Sequence, residues 1–329
     1  MSTNMTAPAV GDFFVCDFFG ASPKHDLASL EHPLFSLATR PDRRILEYTH
    51  NDVAVIVTPS VRGRATIFDA DILIFCISQL MAALNAGKPV SRRLTLTAHD
   101  LLLATGRETS GDAYRRLKEA FERLAGTRIT TNILTGETEV TTGFGLIESW
   151  EIVRKTRAGR MVSVSITLSE WIFRAVKARS VLTLSRDYFG LRKPLERRLY
   201  ALARKHCGQQ AGWRVSVEVL LKKSGSNSPR RVFRAMLRDV IARDSLPDYH
   251  LVEEPGDMIA VSRRDAEVVE AGGWLLLSAE ALEQARRLAP GRDVYALEAE
   301  WQSFASRRPP RNPDKAFLGW VAKRSGEAV

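Results

Sequence analysis

The spacing of apolar residues between positions 94 and 142 predicts a strand, two helices and a hairpin, in that order. Thr97 is placed to cap the first helix, with Asp100 as its third residue, and Thr109 or Ser110 to cap the second. The predicted elements are a strand over 94–96, a helix over 98–104, a turn over 106–111, a helix over 112–124, and strands over 128–134 and 139–142. This order is typical of a winged helix-turn-helix.

The same order recurs further along the chain and predicts a second winged helix-turn-helix. Ser228 is placed to cap its later helix, with Pro229 at the first helical position. At one constant offset, Tyr114 corresponds to Phe233, as in a tandem repeat. The elements are a strand over 214–217, a helix over 218–223, a turn over 224–228, a helix over 230–242, and strands over 249–252 and 258–261. The predicted core face of the later helix consists of Val232, Phe233, Met236, Leu237, Val240 and Ile241.

The fold class predicted from these patterns is α+β, with two tandem winged helix-turn-helix domains, an inserted β-meander and a helical C-terminal tail. The other predicted elements are strands within 45–59, a helix over 69–85, the meander over 143–167, a helix over 169–178 capped by Ser169, an amphipathic helix over 194–206, and tail helices over 279–288, 294–304 and 314–323. The expected domains are a flexible arm over 1–24, a first winged-helix domain over 25–180 for dimerisation or DNA contact, the main DNA-binding domain over 181–264, and a helical extension over 265–329.

The charge of the chain is distributed unevenly. The net charge is +10, yet residues 192–238 contain 13 basic and two acidic residues, whereas residues 239–305 contain 14 acidic and six basic ones. A solvated surface would mix the two signs. The basic block therefore predicts a polyanionic partner that binds the middle of the chain.

Arginine on the later helix of each unit is suited to reading guanine in the major groove of DNA, because its guanidinium donates two parallel hydrogen bonds. An alternative for Glu119 is a surface ion pair with Arg115 or Arg123, and for Arg197 and Arg198 an internal ion pair with Glu196 or another helix. The candidates for base contact are Asn227, Ser228, Arg230, Arg231, Arg234 and Arg238, followed by Arg115, Arg116 and Glu119 in the first unit. The candidates for phosphate contact are Arg197, Arg198, Lys205, Lys222, Lys223, Arg123 and Arg128.

Motifs for enzymatic chemistry do not occur in the sequence. There is no phosphate-binding loop, and the histidines form no His-x-His pair of the kind that holds the metal of a rolling-circle nickase. The three cysteines are widely spaced, which disfavours a zinc site and a disulfide framework. We therefore predict a non-enzymatic protein without cofactor or metal. No secretory signal or long apolar run is present, so we expect a cytoplasmic protein that does not contact a membrane.

Four segments of the chain resemble the plasmid replication initiator protein A family. The likeness extends from about residue 25 to residue 264, and weakly to the segment APGRDVYALEAEW at 289–301. The four segments are ATIFDADILIFCISQLMAAL at 65–84, GTRITTNILTG at 126–136, GFGLIESWEIVR at 143–154 and LTLSRDYFGLRKPLERRLYALARKHCG at 182–208.

The resemblance implies two winged-helix domains that bind direct repeats, or iterons, in double-stranded DNA at a plasmid origin. It further implies melting of adjacent AT-rich DNA, recruitment of a host initiator and the replicative helicase, a monomer–dimer equilibrium, and repression of the protein's own gene. Helix 230–242 would be the main recognition helix, and helix 112–124 would make a second DNA contact or dimerise.

Three other interpretations of the sequence remain open. The first is a winged-helix transcription repressor without a role in replication, which would be dispensable in a minimal plasmid. The second is a DNA-nicking or priming enzyme, against which the missing motifs argue. The third is a structural DNA binder without sequence preference.

Overall fold

The computed structural model describes residues 22–50, 53–132, 134–135, 138–139, 141–154, 161–208, 212–264, 277–289, 294–305, 310 and 312–326. Most of the predicted arm lies outside these residues, and Lys24, its last residue, begins a strand. Among the described residues, no helix has both the length and the hydrophobicity that crossing a bilayer requires.

The element order is that of a mixed α+β protein, with the helices and strands at the positions that the sequence pattern predicts in most cases. The strands are β1 (Lys24–Asp26), β2 (Leu46–His50), β3 (Val53–Thr58), β4 (Arg93–Thr97), β5 (Arg128–Thr131), β6 (Leu134–Thr135), β7 (Thr138–Glu139), β8 (Thr142–Gly145), β9 (Ile147–Arg154), β10 (Met161–Leu168), β11 (Val181–Thr183), β12 (Gly212–Ser216), β13 (Tyr249–Glu254) and β14 (Met258–Arg263). The helices are α1 (Leu27–Glu31), α2 (Ala70–Asn85), α3 (Ala98–Ala104), α4 (Gly111–Gly126), α5 (Glu170–Lys177), α6 (Pro194–Cys207), α7 (Val217–Ser224), α8 (Arg230–Arg243), α9 (Ala279–Leu288), α10 (Val294–Ala305) and α11 (Pro313–Gly326), with a 3-10 turn at Arg186–Gly190.

The chain forms two compact units. The first consists of Met1–Arg198 with Lys222–Asn227, and the second of Leu199–Leu221 with Ser228–Val329. The domain boundaries that the sequence suggests, at 180–181 and 264–265, stay predictions, because compactness alone does not identify the segments that fold independently.

The core of the first unit is built around α2, which is buried over nearly its whole length because its residues are almost all apolar. One sheet has the order β2-β3-β5-β8 and another the order β4-β10-β9. In the second of these sheets Leu96 is paired with Val164, and both side chains are buried. Helix α4 packs on this sheet, where Phe121 stacks on Trp150.

The hairpin predicted after α4 is present, since β5 pairs with β8 and β6 pairs with β7. It belongs to the sheet of β2 and β3, whereas β4 lies in another sheet. A second hairpin, formed by β9 and β10, pairs with β4 through β10. The segment predicted as a meander over 143–167 supplies this hairpin, because Val164, Ile166 and Leu168 alternate toward the core.

The second unit has a three-stranded sheet in the order β12-β14-β13, with α7 and α8 between its first two strands in the chain. Phe233, Leu237 and Val240 bury one face of α8. Val232 was predicted in that face but is 46% exposed, since it lies to the side of the buried stripe. Farther along the chain, α9, α10 and α11 enclose a separate small core that includes Trp301 and Phe317.

The start of α8 also differs from the prediction. Pro229, not Ser228, occupies the cap position, with φ −54° and ψ 146°, and the first helical residue is Arg230. The proline ring fixes φ and offers no side-chain acceptor, so this helix begins without a side-chain cap. In the first unit the predicted caps are confirmed, because Thr97 accepts from the Asp100 amide and Ser110 from the Ala113 amide.

The two units repeat the same local geometry up to the start of the later helix. Gly106 and Gly225, at the common offset, both adopt positive φ, of 63° and 68°. These turns need glycine because a side chain is strained in that region. The caps Ser110 and Pro229 keep the same offset.

The buried faces of the two later helices are nonetheless rotated by one residue. The buried residues of α4 include Ala113 and Leu117, whereas those of α8 include Phe233 and Leu237, each one position further along. The predicted pairing of Tyr114 with Phe233 therefore describes the chain offset but not the faces that the two helices turn outward.

Candidate nucleic-acid interface

The face of α8 opposite its core carries most of the predicted base-reading side chains. Arg230, Arg231, Val232, Ala235 and Arg238 are exposed along this face. Arg234 is half-buried on the side nearer the β13–β14 hairpin. In the turn before the helix, Asn227 is exposed and Ser228 is partly buried. The structure thus brings the predicted arginines together on one open helix face.

Two carboxylates of the β13–β14 hairpin bind three of these arginines. Arg234 donates to Asp257 Oδ1 from Nε at 3.0 Å and from Nη2 at 2.6 Å, and Arg230 donates to the other oxygen of the same carboxylate. Arg238 donates from Nε and Nη2 to the two oxygens of Glu253, both at 2.8 Å. The hairpin therefore lies beside the arginine face, and its carboxylates offset part of the positive charge of that face.

These ion pairs keep both carboxylates ionised at neutral pH. Hydrogen bonds from Arg230 and Arg234 hold the pKa of Asp257 below its usual range, and the hydrogen bond from Arg238 does the same for the pKa of Glu253. In turn the carboxylates raise the pKa of Arg230 and of Arg238. Both carboxylates, Arg230 and Arg238 are therefore charged at neutral pH.

The backbone at the hairpin tip fixes the position of the Asp257 carboxylate. Gly256 and Asp257 both have positive φ, of 79° and 62°, a conformation that aspartate tolerates better than most residues. The Asp257 carbonyl accepts a hydrogen bond from the Val217 amide at 2.9 Å, at the first residue of α7. The tip is thereby tied to the helix that precedes α8.

The corresponding face of α4 is charged but largely paired within the helix. Arg115 and Arg116 are exposed, and both bind Asp112, Arg116 at 2.8 Å. Arg115 Nη1 also lies 3.8 Å from Glu119 Oε1, in agreement with the surface ion pair that was the alternative for this glutamate. We infer that α4 offers less free positive charge to DNA than its sequence indicates.

Three of the predicted phosphate contacts are wrong, because the structure buries their side chains. The exposed fractions are 2% for Arg197, 4% for Arg198 and 2% for Lys223. Lys223 forms an ion pair with Glu31. Charged groups are buried at this depth only when they are paired internally, so none of the three can reach a phosphate in this conformation.

Arg197 belongs to a buried cluster in the first unit. Its Nη1 lies 2.5 Å from Asp71 Oδ1 on α2, its Nε donates to the Leu191 carbonyl, and the guanidinium packs 4.5 Å from the ring centre of Phe68. The internal ion pair with another helix, the alternative that the sequence left open, is the observed state. Arg197 therefore contributes to the structure of the unit.

Arg198 closes the carboxyl ends of two helices. It donates to the carbonyls of Ser29, Leu30 and Glu31 in the last turn of α1, and to the carbonyl of Lys223 in the last turn of α7. These are carbonyls that a helix end leaves without an intrahelical partner. Burial lowers the pKa of Arg198 to about 10, so it stays protonated at neutral pH.

The remaining phosphate candidates differ in exposure. Lys222 and Arg128 are exposed and Lys205 is partly buried. Arg123 is bound by two hydrogen bonds, of 2.7 and 2.8 Å, to Asp69. We retain Lys222, Arg128 and Lys205 as proposed phosphate contacts, because the charge of Arg123 is neutralised within the unit.

Sequence reasoning missed three residues of this surface. Val232 was assigned to the core, because its apolar side chain adjoins the buried stripe of α8, but it is exposed. Glu253 and Asp257 were counted only as part of an acidic block. A signal was present for Asp257, because it follows Pro255-Gly256 in a turn that must bring the hairpin tip back towards the helices.

The protein is of the α+β class. It has two compact units, and each contains a pair of consecutive helices and a β-hairpin. Over 72% of this chain, the fold is similar to the solved structure of domains 2 and 3 of RctB, of which it covers 98%, with a TM-score of 0.51 at 16% sequence identity. At that identity the similarity concerns the fold alone.

The chain belongs to the replication initiator protein A family, whose model matches residues 24–251. It is also 36% identical over 246 residues to a protein of Wigglesworthia glossinidia brevipalpis named "Putative replication protein", covering 74% of this chain and 89% of that protein. The family resemblance seen in the sequence is confirmed. The protein is accordingly assigned to the initiation of replication.

Proposed function

We propose that this chain initiates replication of a plasmid by binding direct repeats of double-stranded origin DNA, with α8 in the major groove. The observation that carries the proposal is the open arginine face of α8 beside the β13–β14 hairpin. An α-helix fits the major groove, and arginine reads guanine there through two hydrogen bonds. Arg231, Arg234 and Arg238 are the proposed base contacts, with Asn227, Ser228 and Arg230 near the start of the helix.

Both units are proposed to be winged helix-turn-helix domains, with the β13–β14 and β9–β10 hairpins as their wings. The order of strand, helix, helix and hairpin and the strand order of each sheet support this. The second unit would make the main DNA contact. The first, in which Asp112 pairs with Arg115 and Arg116, would make a weaker contact or dimerise.

Melting of adjacent DNA, recruitment of a host initiator and the replicative helicase, and repression of the protein's own gene belong to the same proposal. They would follow from assembly of several copies on neighbouring repeats, without covalent chemistry on DNA. The proposal therefore includes no cofactor and no metal.

A footprint on the DNA that flanks the gene tests the binding proposal. We expect protection of evenly spaced repeats, and loss of that protection with Arg231→Ala. Because three predicted phosphate contacts are buried, we expect about 5 neutralised phosphates and a log–log salt slope of roughly −4 to −5. Equal affinity for the repeats and for random DNA would contradict the proposal and favour a structural DNA binder.

A minimal plasmid separates initiation from repression. If the protein is an initiator, deleting its gene abolishes maintenance of the plasmid, and supplying it in trans restores maintenance. Maintenance without the gene, with increased transcription from its promoter, would identify a repressor instead. Metal-dependent cleavage or primer synthesis by the pure protein would refute the non-enzymatic mechanism.

A further inference from the structure

The carboxylates of the hairpin occupy only one edge of each arginine they bind. Arg234 and Arg238 both donate through Nε and Nη2, which form the side edge of the guanidinium. A guanidinium has five N–H groups, and the end edge formed by Nη1 and Nη2 keeps donors that these bonds do not use. Two parallel donors at that edge match O6 and N7 of guanine.

We propose that Asp257 and Glu253 are specificity-determining residues, which hold Arg234 and Arg238 with their end edges directed at guanine and oppose their binding to phosphate. The inference rests on the proposed function of α8. A guanidinium held on a fixed carboxylate has less rotamer freedom to lose when it meets a base. The left-handed backbone at Asp257 and its bond to Val217 make that carboxylate a fixed point.

The same carboxylates act against binding without sequence recognition. Non-specific affinity comes from neutralised phosphates, and a carboxylate beside each arginine cancels part of that charge and repels the DNA backbone. Guanine compensates for that loss by offering O6 and N7 to the end edge, whereas another base at the same position does not offer this pair of acceptors. The hairpin therefore weakens binding to random DNA more than binding to the repeats.

The test compares affinities of the full-length protein for a duplex containing one footprinted repeat and for a shuffled duplex of the same composition. The variants are Asp257→Asn and Glu253→Gln. Asparagine tolerates positive φ, so Asp257→Asn preserves the turn. The matched control is Asp239→Asn, because Asp239 also lies on α8 and binds an arginine of the same helix, Arg243, rather than one of the proposed base contacts.

We expect Asp257→Asn and Glu253→Gln each to reduce the ratio of repeat affinity to shuffled affinity by about tenfold, the size of one arginine–guanine contact. Asp239→Asn removes the same negative charge, and it should change the affinity for the repeat and the affinity for the shuffled duplex by a similar factor. In the Arg234→Ala background, Asp257→Asn should have less effect on the ratio, because one of the two arginines that Asp257 binds is gone.

The outcomes separate this inference from the proposed function. If Asp257→Asn and Glu253→Gln change the ratio no more than Asp239→Asn does, while Arg234→Ala lowers it, the role of the carboxylates is refuted and α8 remains the reading helix. If the wild-type protein shows no preference for the repeat, the proposed function itself fails.

Discussion

Replacing Arg198 by methionine should destabilise the protein without removing a DNA contact, contrary to the assignment that the sequence suggested. Methionine fills the volume of the arginine stem but donates no hydrogen bond. The carbonyls of Ser29, Leu30, Glu31 and Lys223 would lose the donors that they now share.

The expected loss of stability follows from the number of buried carbonyl acceptors that Arg198 now satisfies. An unsatisfied buried polar group costs about 1–3 kcal/mol, and partial relaxation and water entry reduce the sum for four neighbouring carbonyls. We therefore expect a loss of about 3–5 kcal/mol in the free energy of unfolding, the range found when one partner of a buried charged group is removed. For a unit of this size, that corresponds to a decrease in Tm of roughly 6–20 °C.

The measurement is thermal unfolding followed by circular dichroism, with DNA affinity measured well below Tm. The matched control is Arg231→Met, the same substitution on the exposed face of α8. It should leave Tm within about 2 °C and weaken binding to the repeat. If Arg198→Met leaves Tm unchanged and reduces DNA affinity instead, the structural role argued for Arg198 is wrong.

Three further predictions concern the second unit. Arg234→Ala should weaken repeat binding by roughly 1–3 kcal/mol and relax the preference at one base pair, as measured with a set of singly substituted duplexes; an unchanged preference would exclude Arg234 from base contact. Val232 is expected to contact a thymine methyl group, so replacing that thymine by uracil should cost the wild type about 0.8 kcal/mol and Val232→Ala almost nothing; equal losses in both proteins would contradict this. Glu298 is partly buried in α10, and burial raises its pKa to about 7, opposed by Arg214. Because the folded pKa lies above the unfolded value of 4.5, the contribution of Glu298 to stability is complete below pH 4.5 and is lost as the pH rises through 7. Glu298→Gln should therefore raise Tm at pH 8, by the equivalent of about 1–3 kcal/mol, and leave it unchanged near pH 4; a Tm difference independent of pH would argue against this titration.

The elements of the fold were largely predictable, because they depend on local signals. The caps Thr97, Ser110 and Ser169 and the apolar spacing of α2 and α4 placed helices within one or two residues of their ends. Strand pairing was less predictable, because β4 pairs with a hairpin far along the chain. No local signal distinguishes that hairpin from the nearer β5.

The candidate site could be predicted only in part, since charge in a sequence does not indicate what the charge faces. Helix α6 has the periodicity of an amphipathic helix, so its arginines were assigned to an exposed face. In the structure Arg197 meets Asp71, more than a hundred residues away in the chain, and Arg198 meets the ends of two other helices. Those contacts depend on tertiary packing, which one sequence alone does not reveal.

The adjacent basic and acidic blocks have a structural explanation that changes what the charge means. The acidic block contains Glu253 and Asp257, and the β13–β14 hairpin returns them to α8, where they bind arginines of the basic block. The opposite charges therefore neutralise each other locally before any DNA is bound. Under the proposed function, such a surface would gain less from counterion release than its count of arginines suggests, and would depend more on matching bases to oriented guanidinium groups. That balance suits an initiator, which must find a few repeats among a large excess of unrelated DNA.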